Sequence, residues 1–235
     1  MSVPLEHIHR DVRGGGLRAS IFGVSDGLVS SVSLVLGTAA AHPGPGVVRI
    51  AGLAGLLGGS FSMAAGEYVS MRAQREAFER ELAVEAEEIR RRPESERREL
   101  QHLYESRGIT AEIAEQLAGE LMADPDVALA THAREELGLD PEALGSPWTA
   151  AGSSFVTFAV GAVIPLAPFL GGSSGPTEQV VAVVLAALAA LAVGALLSIV
   201  TVRSWAFSAV RSLAICAIAG AATYGLGSAI GTTVH

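Results

Sequence analysis

The sequence predicts an all-α integral membrane protein in which five transmembrane helices carry a cytoplasmic helical bundle inserted between the second and the third. Three observations lead there. Half of the 235 residues are hydrophobic and the mean hydropathy is +0.43. The apolar residues fall into five runs with almost no charge, each about 20 residues long, which is what a helix needs to cross a bilayer core. Membrane strands would alternate and be about half that length. Finally, the charge is concentrated: residues 72–146 hold 19 Asp and Glu against 10 Arg, a balance of -9 in a chain whose total is -8.

Residues 1–18 form a polar amino-terminal segment with Arg10, Arg13 and Arg18. Asp26 interrupts the apolar run that follows and no small-residue cleavage site succeeds it, so no removable signal peptide is expected. Residues 19–71 hold the first two spans. Span one runs from Ile21 to Ala41, with Asp26 as its single charge. His42-Pro43-Gly44-Pro45-Gly46 breaks it, and a turn this short lays span two, Val47 to Val69, antiparallel beside it. Residues 147–235 hold the other three, Trp148 to Leu170, Val180 to Val202 and Ser212 to Val234; Pro165 and Pro168 predict a kink in span three. With five spans, Arg10, Arg13, Arg18, Arg72, Arg75, Arg203 and Arg211 all fall on one side, which the positive-inside rule makes cytoplasmic. Only Arg49 lies on the other side.

The insert, residues 72–146, reads as helices. The first continues span two to about Arg92, Pro93 opens a second lasting to Ser106, Thr110 precedes a third, and Asp126 to Leu137 is a fourth or a continuation of the third after Pro125. Leu82, Ile89, Leu100, Leu103, Ile113, Leu117, Leu121, Val127, Leu129 and Leu137 are its expected core.

Two places carry metal chemistry. Asp26 and Glu67 are ionisable residues inside apolar spans, where an ion or proton pathway is the default explanation. The plainer alternative is a carboxylate that snorkels, is protonated, or pairs with Arg18 or Arg72. Met63 precedes Glu67 by one helical turn, so thioether and carboxylate share a face, and a soft ligand suits Fe2+ over Mg2+. At 1.5 Å per residue all three lie roughly 8 to 14 Å from the cytoplasmic ends, at matching depth. Gly23, Gly27, Ser30, Gly55, Gly58, Gly59 and Ser62 offer small surfaces for helix approach. In the insert, Glu81, Glu85 and Glu88 form one acidic stripe, and Glu96 and Glu99 repeat the Glu85/Glu88 spacing beyond Pro93. Two such pairs present carboxylate oxygens to a divalent ion such as Mn2+ or Fe2+. The alternative is a solvated helix laced with Glu76/Arg80, Glu87/Arg91 and Glu88/Arg92 pairs. His132 and Glu136 share a face, which as an isolated pair reads as surface.

Several classes are excluded or disfavoured. An acidic balance argues against nucleic acid. Cys216 stands alone, so there is neither an intrachain disulfide nor a thiolate metal site. No nucleotide loop, nucleophile–base arrangement or redox centre is present, and iron oxidation in a ferritin-like bundle needs Glu-x-x-His pairs that the insert lacks. No enzymatic activity is expected.

Four ordered motifs resemble the vacuolar iron transporter family: Phe22-Gly-Val-Ser-Asp26-Gly-Leu-Val-Ser; Ser62-Met63-Ala-Ala-Gly66-Glu67-Tyr68-Val-Ser70; the Glu-rich insert ending Arg134-Glu-Glu136-Leu-Gly-Leu; and Ala222-Thr-Tyr224-Gly-Leu-Gly. The resemblance covers about Gly16 to Gly231. It implies five spans, a homodimer with the ion path at its interface, a cytoplasmic metal-binding domain, and export of Fe2+, often Mn2+, against protons. It also implies that Asp26 and Met63 lie on the transport path with Glu67 in the same signature, and that Glu85, Glu88, Glu96, Glu99 and Glu136 bind metal. Where the family often has Met before the final Glu pair, this chain has His132 and Ala133, and His132 is counted with these glutamates among the candidate metal ligands. The expected function is therefore a dimeric divalent-metal/proton antiporter with no tightly bound cofactor, its partners being Fe2+ or Mn2+, protons and the lipid bilayer. A multi-pass bacterial inner-membrane location, with the amino end cytoplasmic, suits a chain whose 16 basic residues are all Arg. The alternative is a membrane-anchored metal-binding or sensing protein that transports nothing.

Overall fold

A computed structural model describes residues 15–44, 46–136, 138, 145–201 and 203–233. The amino-terminal segment with Arg10 and Arg13, and Pro45, Leu137, Val202 and Val234, lie outside the described residues. Eight α-helices follow in order: α1 Gly15–Ala40, α2 Val47–Arg91, α3 Pro93–Ser106, α4 Ala111–Leu121, α5 Pro125–Glu135, α6 Pro147–Leu166, α7 Pro176–Thr201 and α8 Trp205–Thr233. There is no strand among the described residues. Five helices, α1, α2, α6, α7 and α8, are long and apolar enough to span a membrane. The chain divides into a unit of residues 1–70 with 145–235, and a second of residues 71–144.

In the first unit α1 is the central helix. Leu28, Val32, Val35, Leu36 and Ala39 are buried against Ala182, Ala186 and Ala190 of α7, Leu166, Phe169 and Cys216. The three alanines recur every four residues, one thin face that lets α7 lie close. Contact with α6 is closer still. A Cβ on Gly27 would strike the Phe158 backbone, and one on Gly161 would strike the carbonyl of Val24. Ser31 Oγ donates to the Ala162 carbonyl at 2.7 Å, and the hydroxyls of Ser20 and Ser153 meet. Gly23 and Gly27 are thus the small surfaces at which α1 approaches α6. Helix α2 instead leans on α6 through side chains: Phe61 meets Phe155 edge-on at 5.1 Å, Tyr68 meets Trp148 at 4.7 Å, and Gly59 faces the Phe158 ring.

Three features at the ends of these helices have physical causes. Helix α8 begins at Trp205 and not at Ser212, because Arg211 does not end it: the guanidinium turns back over the Phe207 ring, 6.0 Å away, as a side chain tilted toward the helix amino end can. The α6 helix runs through Pro165 and then tightens into a 3-10 segment, Ala167–Gly171, closed by Gly172 at φ +88°. And Arg49, the one arginine on the far side, donates to the Leu170 carbonyl at 3.3 Å, while Gly46 N–H donates to the Gly172 carbonyl at 3.0 Å. Its charge rests on the carbonyl end of the 3-10 segment, which explains its place.

The second unit holds the later turns of α2 with α3, α4 and α5. Pro93 opens α3, and Asp124 caps α5, its carboxylate accepting from Asp126 N–H at 2.9 Å and Val127 N–H at 3.4 Å. Its core is smaller than expected. Phe78 and Leu100 are buried, but Ile113 and Val127 are exposed, and Ala114, Ala118, Ala128 and Ala133 take the inner face. The register of α4 and α5 is shifted by one residue, so alanines fill the seam. Arg97 reaches Glu115 at 3.7 Å and Arg107 reaches Glu135, linking the short helices.

Candidate metal centre

As α2 leaves its apolar stretch, its arginines and glutamates sort into two groups. Arg72 pairs with Glu76 at 2.7 Å, Arg75 with Glu79 at 2.9 Å, and Glu87 with Arg90 at 2.7 Å and with Arg91. Among the described residues no arginine pairs with Glu85, Glu88, Glu96 or Glu99. The stripe is therefore only partly the solvated, Arg-laced face of the alternative explanation, and the glutamates left over are those of the candidate site.

Glu85 of α2 and Glu96 of α3 are buried, at 5% and 6% exposure, and His132 in the last turn of α5 is at 1%. Sequence spacing assigned His132 to the surface; the helix turns it inward beside Ala128 and Ala133. Its Nδ1 lies 3.1 Å from Glu85 Oε1 and 3.4 Å from Oε2 of Glu136, the residue that ends α5. Donor atoms of Glu85, His132 and Glu136 all fall within 4.8 Å of one another. Burial pushes the Glu85 carboxyl up to about 7, against the pull of His132, and the charges of Glu136, Glu96 and Glu88 add to it. Burial also raises the Glu96 carboxyl, helped by Glu99, Glu88 and Glu136. Five carboxylates and one imidazole thus act on one another, with Glu88, Glu99 and Glu136 on the exposed rim. Glu81 is exposed and belongs to the outer face.

Two buried polar atoms in this cluster have no hydrogen-bond partner among the described residues: His132 Nε2, and Glu85 Oε1, whose 3.1 Å contact with His132 Nδ1 lacks hydrogen-bond alignment. Buried polar groups are rarely left so. A cation among these carboxylates would satisfy the oxygen and relieve the mutual repulsion, and a mixed oxygen and imidazole set suits borderline ions such as Fe2+ or Mn2+.

The other three candidates lie in the apolar unit. Asp26 is exposed on α1, and its one hydrogen bond comes from Ser30 Oγ at 3.4 Å. Met63 and Glu67 are half-buried on α2, one turn apart, with the Tyr68 ring tilted at 52° against Trp148 beside them. Ser30, a turn beyond Asp26, was grouped in the sequence only as a small packing residue; its i,i+4 spacing is the signal that marks it as a hydroxyl for the carboxylate.

Comparison with known proteins follows this geometry. A family model described as the VIT family matches residues 17–228. The chain is similar to a vacuolar iron transporter of Acanthamoeba castellanii, 39% identical over 160 residues, 67% of this chain and 58% of that protein. It is similar to vacuolar iron transporter 2 of Oryza sativa subsp. japonica, 29% identical over 96% of this chain and 92% of the rice protein. Vacuolar iron transporter 1 of Eucalyptus grandis is 31% identical over 91% of this chain and 86% of its own length. The chain thus spans less than two thirds of the amoebal protein and nearly all of the rice one.

Proposed function

This chain belongs to the VIT family, and from that membership we propose that it carries a divalent metal ion, Fe2+ or Mn2+, out of the cytosol across a membrane in exchange for protons. Asp26 is the observation that supports transport. It is exposed on an apolar helix of the single chain with only a serine hydroxyl against it, and a carboxylate facing hydrocarbon is costly. A water-lined path covered by a second copy removes that cost, so the working form is a homodimer with Asp26 on the path. Residues 72–146 serve as a cytoplasmic metal-binding unit in which Glu85, Glu88, Glu96, Glu99, His132 and Glu136 gather the ion. Asp26, Met63 and Glu67 then hold it within the membrane. Carboxylates bind the ion when ionised and release it when protonated, which couples the two fluxes. The metal is cargo, and no bond of a substrate is made or broken. The relatives are named as vacuolar transporters; for this all-Arg chain the proposed site is a bacterial inner membrane, with the amino end inside.

The test is metal entry into sealed proteoliposomes containing a dye quenched by Fe2+ or Mn2+, with and without an acidic interior. The unmodified chain takes up metal faster with the proton gradient, and Asp26→Asn abolishes uptake. Undiminished, still proton-coupled uptake by Asp26→Asn would remove Asp26 from the path. One observation favours a second possibility: the carboxylate–imidazole cluster belongs to a compact unit of its own. Were neither protein to move metal while the full chain still bound Mn2+, the chain would be an anchored metal-binding or sensing protein.

A further inference from the structure

The side of the apolar unit formed by α1, α7 and α8 carries an open groove made of two hollows. The larger, about 630 Å3, lies among residues such as Leu36, Val183, Ala187 and Ala217. The smaller, about 380 Å3, lies among Phe22, Val29, Val193, Leu197, Arg211 and Ser212. Cys216 lines both, so the two meet there. The walls are almost wholly apolar, and Arg211 is the single charged residue in either.

Arg211 sits six residues into α8 from Trp205, roughly 9 Å along the axis. It is exposed, its contact is the Phe207 ring, and no carboxylate pairs with it among the described residues. A guanidinium at that depth in an apolar helix calls for an anion. Neither hollow is lined by Asp or Glu, so the groove itself offers the guanidinium no carboxylate. An anionic phospholipid supplies what is missing: acyl chains for the hollow and a phosphate whose geometry matches the guanidinium fork.

We propose that this groove is a binding site for an anionic phospholipid, its phosphate on Arg211 and Ser212 and an acyl chain in the smaller hollow, reaching toward Cys216. Its occupancy is read without measuring transport. The full chain in detergent is titrated with dioleoylphosphatidylglycerol and, separately, with dioleoylphosphatidylcholine, and bound lipid is counted by native mass spectrometry. Saturable binding of one phosphatidylglycerol per chain is expected, with weaker phosphatidylcholine binding. Arg211→Gln weakens phosphatidylglycerol binding about tenfold or more and weakens phosphatidylcholine, whose phosphate charge is offset by choline, by much less. Arg211→Lys, which keeps the charge without the fork, falls between. Val193→Phe, which fills the hollow and keeps the charge, weakens both lipids. Circular dichroism and thermal unfolding identify the variants that fold, and only those are compared. Equal affinity for the two lipids that Arg211→Gln does not alter would overturn the proposal. So would a Val193→Phe protein that binds lipid normally but loses its dimeric mass in light scattering, which would make the groove an interface between copies.

Discussion

Glu85 ties the chemistry of the acidic unit to pH. Its carboxyl is pushed up to about 7 from an ordinary 4.5 by burial and by neighbouring glutamates. Between those values the folded protein holds a proton that the unfolded chain has already lost, so stability falls as pH rises across that window. Glu96 contributes with the same sign. Thermal unfolding of the metal-free chain should therefore shift down between pH 5 and pH 7.5, and Glu85→Gln should flatten that slope. A divalent ion requires the ionised form, so its affinity rises over the same range and added Mn2+ should recover the loss at pH 7.5. A melting profile that rises with pH in the metal-free chain would contradict the buried, repelled state of Glu85.

At the scale of the element, α1 and α6 are held by backbone approach and not by large side chains. Gly27 faces the Phe158 backbone, whereas Gly152, also on α6, has no neighbour where a Cβ would stand. Gly27→Ala should cost about 2 kcal/mol through overpacking while Gly152→Ala is close to neutral; unfolding in detergent, followed by circular dichroism, separates them. The far-side turn offers a second comparison. Arg49 bonds the Leu170 carbonyl where the 3-10 segment ends. Removing that bond in Arg49→Gln should cost about 1 kcal/mol, read as an earlier transition in the same unfolding measurement. Unchanged unfolding would reduce Arg49 to a surface charge.

For the whole molecule, the proposed homodimer places exposed Asp26 under a second copy. In a Cys216→Ser background, Asp26→Cys should form a disulfide-linked or maleimide-bridged pair of chains in native membranes, seen as a doubled mass on a denaturing gel. Val184→Cys, exposed on α7, should not. A strong band from position 184 and none from position 26 would place the pairing face on the other side of the bundle and leave Asp26 to lipid or water.

The five apolar helices, the turn at His42, the helix start at Pro93 and the acidic character of residues 72–146 were legible in the sequence, because each depends on composition or on a local backbone preference. Asp26 and Glu67 stood out as ionisable residues in apolar spans, whereas the insert's glutamates were singled out by the family resemblance. Tertiary structure decided the rest. It turned His132 inward to meet Glu85 from another helix, put alanines and not Ile113 or Val127 in the seam, gave Gly23 and Gly27 to α6, and found for Arg49 a carbonyl 121 residues away. These are matters of helix rotation and of contacts between distant segments. One residue of register, about 100° around a helix, decides which side faces in, and periodicity in short alanine-rich helices is too weak to set it.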